Sequence, residues 1–85
     1  MKLKINTAKQ LGNALRQVRK LRKMTQGQVA KKAGIRQATV SDIENGLTST
    51  TEILIKILNA LGAKLDMDTL VVGGKPYDPK RDING

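Results

Sequence analysis

Sixteen Lys and Arg side chains dominate the chemistry open to this 85-residue chain, against seven Asp and Glu, for a formal charge of +9 at neutral pH. That balance favours a polyanionic partner. Histidine and cysteine are absent, which removes imidazole bases, thiol nucleophiles, disulfides and the common zinc sites. The chain is therefore expected not to be an enzyme and to hold neither metal nor cofactor. Asp66 and Asp68 are a conceivable metal-binding pair, sharing one face of an alternating strand, but they lack a third ligand and read as solvent-facing acids. With no Trp, no Phe and one Tyr, the chain cannot build the aromatic platforms on which single-stranded nucleic acids stack. Double-stranded DNA is the polyanion that remains. No apolar run is long enough to span a bilayer, and residues 1–10 lack the apolar stretch of a signal peptide. The expectation is a cytoplasmic protein with no membrane partner.

The charge is unevenly placed. Residues 1–24 carry eight basic side chains (Lys2, Lys4, Lys9, Arg16, Arg19, Lys20, Arg22, Lys23) and no acidic one. Leu11, Ala14, Leu15 and Val18 follow helical spacing, so residues 8–23 read as an amphipathic helix opened by Asn6 or Thr7. At about 100° per residue, Lys9, Arg16, Lys20 and Lys23 fall on one flank of it. With no carboxylate to neutralise it, that stripe suits phosphate. A basic helix lying on an anionic membrane is the competing use, disfavoured by the narrow apolar face and the missing aromatic anchors.

Thr25-x-x-Gln28 has the form of a capping box and starts a second helix that Gly34 ends. A third helix, residues 37–44, buries Val40 and Ile43 and exits at Asn45-Gly46. Ser49-x-x-Glu52 reads as a further capping box, behind which Ile53, Leu54, Ile57, Leu58 and Leu61 make the most apolar helix, ended by Gly62. Short connections give an all-α bundle over residues 7–61. Beyond it, Leu65, Met67, Thr69 and Val71 alternate with Lys64, Asp66, Asp68 and Leu70, the period of a strand; Leu3 and Ile5 suggest a shorter one. The division is then an N-terminal arm (1–6), a helical domain (7–62), a strand (63–72) and a flexible tail (73–85).

Ala30 where the second and third helices approach, Gly34 at the turn, and Val40 and Ile43 inward are the series a DNA-binding helix-turn-helix requires. Met24-Thr25-Gln26, Val29 to Ile35 and Thr39 to Gly46 together resemble the Cro/C1-type (Xre) helix-turn-helix domain, over residues 8–62. Asn13-Ala14-Leu15, Thr25-Gln26, Ala30-Lys31-Lys32 and Gly34 to Ser41 are most similar to the HipB-type antitoxins of that family.

The resemblance implies an all-α, lambda-repressor-like four-helix DNA-binding domain with a C-terminal β-strand used in dimerisation. It implies base reading by Arg36, Gln37, Ala38 and Ser41: Gln37 pairing bidentately with adenine, Arg36 reaching guanine or phosphate, Ala38 meeting a thymine methyl. Gln26, Gln28, Lys32, Thr39 and Asn45 would hold phosphates. Arg19 would pair with Glu44 as architecture, with a DNA contact by Arg19 as the other use. Lys23 stands where the family often has glycine, Gly27 lies inside a helix, and Asp42 puts an unassigned negative charge on the third helix. The implied partners are a palindromic operator in double-stranded DNA, a second copy of the chain, and a HipA-like serine/threonine kinase toxin whose operon the protein represses. A stand-alone phage or host regulator without a toxin is the alternative.

Overall fold

The computed structural model of the chain describes residues 2–73. Its order is β1 (Lys2–Lys4), α1 (Ala8–Leu21), α2 (Gln26–Ala33), α3 (Gln37–Glu44), α4 (Thr51–Leu61), β2 (Ala63–Asp66) and β3 (Thr69–Val72). The four-helix reading and its boundaries hold closely.

Threonine hydroxyls open three of the helices. Thr7 accepts from the Gln10 amide at 3.1 Å and Thr25 from the Gln28 amide at 3.1 Å, contacts each worth about 1 kcal/mol. At α4 the expected Ser49 cap is displaced by one residue: Thr50 accepts from the Ile53 amide at 3.3 Å. Glu52 therefore belongs to the first turn, where it pairs with Lys56 at 3.6 Å. α1 ends two residues early, at Leu21, because Lys23 turns into the left-handed region with φ 57°. A lysine in that conformation, which glycine adopts freely, costs about 1–2 kcal/mol.

Leu15, Val18, Val29, Val40, Ile43, Ile57 and Leu61 form a continuous core between the helices, and Leu70 and Val72 extend it. Burial of each large side chain contributes about 1.5–3 kcal/mol. α1 and α3 approach too closely for a side chain between them: a β-carbon on Gly12 would overlap the Ile43 carbonyl oxygen and lie 2.8 Å from that of Glu44.

The C-terminal segment corrects the single-strand expectation. Met67, at φ 58°, and Asp68 form a tight turn, so the segment is a hairpin. β3 is the centre of a three-stranded antiparallel sheet in the order β1-β3-β2, with Leu70 opposite both Leu3 and Leu65. Reversal at the turn changes which residues of β3 face inward: Leu70 and Val72 are buried in place of Thr69 and Val71, while Leu65, opposite Leu70 and so on the same face, is left 43% exposed on the edge strand and Met67 is exposed in the turn. A one-residue change of register moves a whole apolar set to the other face, and the turn had no glycine to announce it. Asp66 ends β2, whereas Asp68 lies in the turn, 4.0 Å from Lys4. The tail beyond Gly73 lies outside the described residues.

Gly12→Ala is expected to destabilise the domain by about 1–3 kcal/mol through overpacking, measured as a lower urea midpoint with an unchanged slope.

Candidate nucleic-acid interface

Two tight termini fix the unit formed by α2, its turn and α3. At the start of α2 the capping box is complete: the Gln28 side-chain oxygen accepts from the Thr25 amide at 2.8 Å while the Thr25 hydroxyl holds the Gln28 amide. At its end Gly34 is left-handed, φ 73°, and the Ile35 amide donates back to the Ala30 carbonyl at 3.0 Å. This reversal brings Arg36 out in extended conformation as the N-cap of α3, with no side-chain cap bond. Its guanidinium is exposed and not used by its own helix.

α3 turns Val40, Ile43 and Glu44 inward. Arg36, Gln37, Ala38, Asp42 and Asn45 are exposed, and Thr39 and Ser41 half-buried. The four residues expected to read bases thus sit on one helix and its mouth, Ser41 at the margin of the exposed face. Gln37 lies beside the start of α2: its side-chain oxygen stands 3.4 Å from where a Gly27 β-carbon would be. Gly27 is unfavourable for a helix by about 0.5–1 kcal/mol, and a β-carbon there would meet that carboxamide in ordinary van der Waals contact.

A buried charged network holds α3 against the two helices before it. The Arg19 guanidinium grips the Glu44 carboxylate at 2.7 and 3.0 Å and donates a third bond to the Met24 carbonyl at 3.0 Å. Their side chains are only 12% and 4% exposed. The architectural reading of Arg19 is the one its geometry bears out. The Gln26 side-chain amide also donates to Glu44, at 3.1 Å. Expected on a phosphate, that group is turned inward, so what the start of α2 offers an anion is the Gln26 and Gly27 backbone amides, which a helix leaves without intrahelical partners.

The remaining expected phosphate ligands do not form one set. Asn45 lies at the far end of α3, where the Lys9 backbone approaches Gly46 to 3.3 Å of a β-carbon position. Gln28 and Lys32 instead line a groove of about 650 Å³ with Arg22, Lys23, Lys31 and Ala60. Arg16 and Lys20, from the basic stripe of α1, are exposed. Arg22 is tied down, donating to the Leu61 carbonyl at 3.1 Å and the Gly73 carbonyl at 2.9 Å. Neither that tie nor the Gln26 link to Glu44 leaves a mark in the sequence, since each joins residues far apart in the chain. Gly12 did leave one: a glycine in the middle of an otherwise well-patterned helix.

Comparison with known proteins places this geometry. A helix-turn-helix family pattern matches residues 15–67. The chain is similar to antitoxin HipB of Escherichia coli (strain K12), 46% identical over 59 residues, which is 68% of this chain and 67% of that protein. Among solved structures it is similar to HipB in a complex with O1 and O2, with a TM-score of 0.69 and 40% identity over 75% of this chain and 94% of the other. It is also similar to a chain of a HipA-HipB-O2-O3 complex, with a TM-score of 0.65 and 35% identity over 89% and 96%.

Removing one member of a buried ion pair strands the other. Glu44→Ala is expected to lower stability by about 3–5 kcal/mol, read by chemical denaturation, and Arg19→Ala to cost a similar amount. Adding the second substitution to the first should cost much less than it does alone.

Proposed function

This chain belongs to the helix-turn-helix family, and we propose that it is a sequence-specific DNA-binding repressor, the antitoxin of a HipA/HipB-like toxin–antitoxin module. It represses its own operon and neutralises a HipA-like serine/threonine kinase. The observation that carries the DNA reading is the exposed surface of α3, on which Arg36, Gln37, Ala38 and, at its margin, Ser41 stand clear of the core while Glu44 anchors the opposite side. A helix presented in this way fits the major groove, where each base pair shows a distinct pattern of donors and acceptors. Gln37 reads adenine through its carboxamide, and Arg36 reaches guanine or phosphate at the mouth of the helix. The Gln26 and Gly27 amides and Asn45 hold the backbone at the two ends, with Thr39 and Lys32 in support.

One short helix reads few bases, so useful specificity needs a homodimer on a palindromic operator. The sheet narrows how two copies pair. Both edges of β3 are already filled by β1 and β2, so a partner strand adds to an outer edge. The β2 edge adjoins a groove of about 430 Å³ lined by Leu54, Ile55, Leu58 and Leu65, and Ile55 and Leu65 are 50% and 43% exposed. The β1 edge carries two lysines, Lys2 and Lys4, charges that discourage edge pairing, against Lys64 and Asp66 of opposite sign on β2. Dimerisation therefore uses β2 and the exposed side of α4.

The antitoxin role is supported by the likeness to HipB and to a chain solved with HipA. No described helix is long and apolar enough to cross a membrane; a cytoplasmic site suits a protein that must meet DNA and a kinase. A stand-alone regulator shares the same fold and differs only in partner, so co-purification of a kinase from the native host separates the two.

The test is a gel-shift titration on the DNA upstream of its own gene. Gln37→Ala should weaken binding about tenfold or more, as expected for loss of a bidentate base contact. Affinity should fall with salt at a slope of about −0.9 per phosphate neutralised. Equal affinity of wild type and Gln37→Ala would overturn the reading mode.

A further inference from the structure

We propose that Asp42 is a specificity-determining residue that accepts a hydrogen bond from the exocyclic amine of a cytosine in the operator. The proposal rests on the DNA-binding reading above. Its starting point is position. With Val40, Ile43 and Glu44 buried, the outward centre of α3 at about 100° per residue falls on Ala38 and Asp42, roughly 40° apart and one turn apart along the axis. Both are exposed. If Ala38 faces the floor of the groove, Asp42 faces it as well, about 6 Å further along the helix, a distance of one to two base-pair steps.

Among the described residues Asp42 takes part in no ion pair. Its backbone carbonyl is occupied, accepting from the Asn45 amide at 3.1 Å and the Leu47 amide at 3.0 Å, which fixes the last turn of α3 beneath it. The side chain is therefore a free acceptor on a rigid stretch of backbone. In a chain of net charge +9, a lone acid at the centre of the surface meant for a polyanion weakens binding unless it meets a donor there.

The donor available is narrowly defined. An ionised carboxylate only accepts. Guanine presents two acceptors in the major groove, and thymine an acceptor and a methyl group; both repel it. Adenine offers its N6 amine beside the N7 acceptor, so attraction and repulsion fall close together. Cytosine alone offers the N4 amine without an adjacent acceptor on the same base. Asp42 thus selects for cytosine and, through repulsion, against guanine and thymine, which is how a site gains specificity from what it rejects.

The experiment is selection from an operator library with randomised half-sites, followed by gel-shift affinities at fixed salt, for wild type, Asp42→Asn and Asp42→Ala. Thermal unfolding of each variant checks that this exposed position leaves the fold intact. Wild type should prefer cytosine about tenfold at one symmetric position per half-site. Asp42→Asn should move that preference to adenine, whose N6 and N7 a carboxamide pairs with together, and Asp42→Ala should flatten that position alone. Two results overturn the proposal while leaving DNA reading in place: a sharp wild-type consensus whose bases are unchanged in both variants, or Asp42→Ala tightening binding to every sequence by the same factor. Absence of any wild-type consensus overturns the DNA reading together with it.

Discussion

Everything the exposed side of α3 can do depends on the buried contact between Arg19 and Glu44. Two charges taken out of water repay their desolvation only if geometry and additional hydrogen bonds are good. Here the guanidinium donates two bonds to the carboxylate and a third to the Met24 carbonyl, and Gln26 gives the carboxylate a further donor. The four residues come from α1, the loop after it, the start of α2 and the end of α3. Their network therefore sets the orientation of α3 relative to both preceding helices, which apolar packing alone would leave freer to slide. The close pass of α1 at Gly12, against the carbonyls of Ile43 and Glu44, restrains the same end of the helix.

Affinity and specificity are divided between different parts of the molecule. The excess of cations belongs largely to residues 1–24, while residues 37–44 of α3 hold two acids and no base. Charge on α1 and at the edges attracts the phosphate backbone in a salt-dependent, sequence-independent way. Base discrimination, as proposed, falls to a surface that carries one acid, Asp42, and no lysine between Arg36 and Asn45, so no lysine masks its donors and acceptors.

The helices were legible because each begins and ends on a local signal. Thr25 with Gln28, Gly34 and Gly62 are read from a few consecutive residues, and the apolar spacing of Leu11 to Val18 needs only the chain itself. The cap of α4 falls on Thr50, one residue beyond Ser49, because both are competent caps and local sequence alone does not choose between them. The hairpin was illegible for a different reason: Asp66 and Asp68, without a glycine, are a weak turn signal around Met67, and alternation looks unbroken through a reversal. Pairing of β3 with β1, sixty-odd residues earlier, is a tertiary fact. In the candidate interface, residue types placed Arg36, Gln37 and Ala38 correctly on the exposed surface. They could not show that the Gln26 amide turns inward or that Gln28 and Lys32 share a groove with Arg22, since those outcomes depend on which neighbours folding supplies.

The central claim is that two copies of this chain each place α3 in the major groove of one half-site. Hydroxyl-radical footprinting on the DNA upstream of the gene tests it most directly. Two protected patches on one face of the duplex, centred about 34–36 Å apart, are the predicted result. A single patch, or protection spread evenly along the DNA, would contradict it.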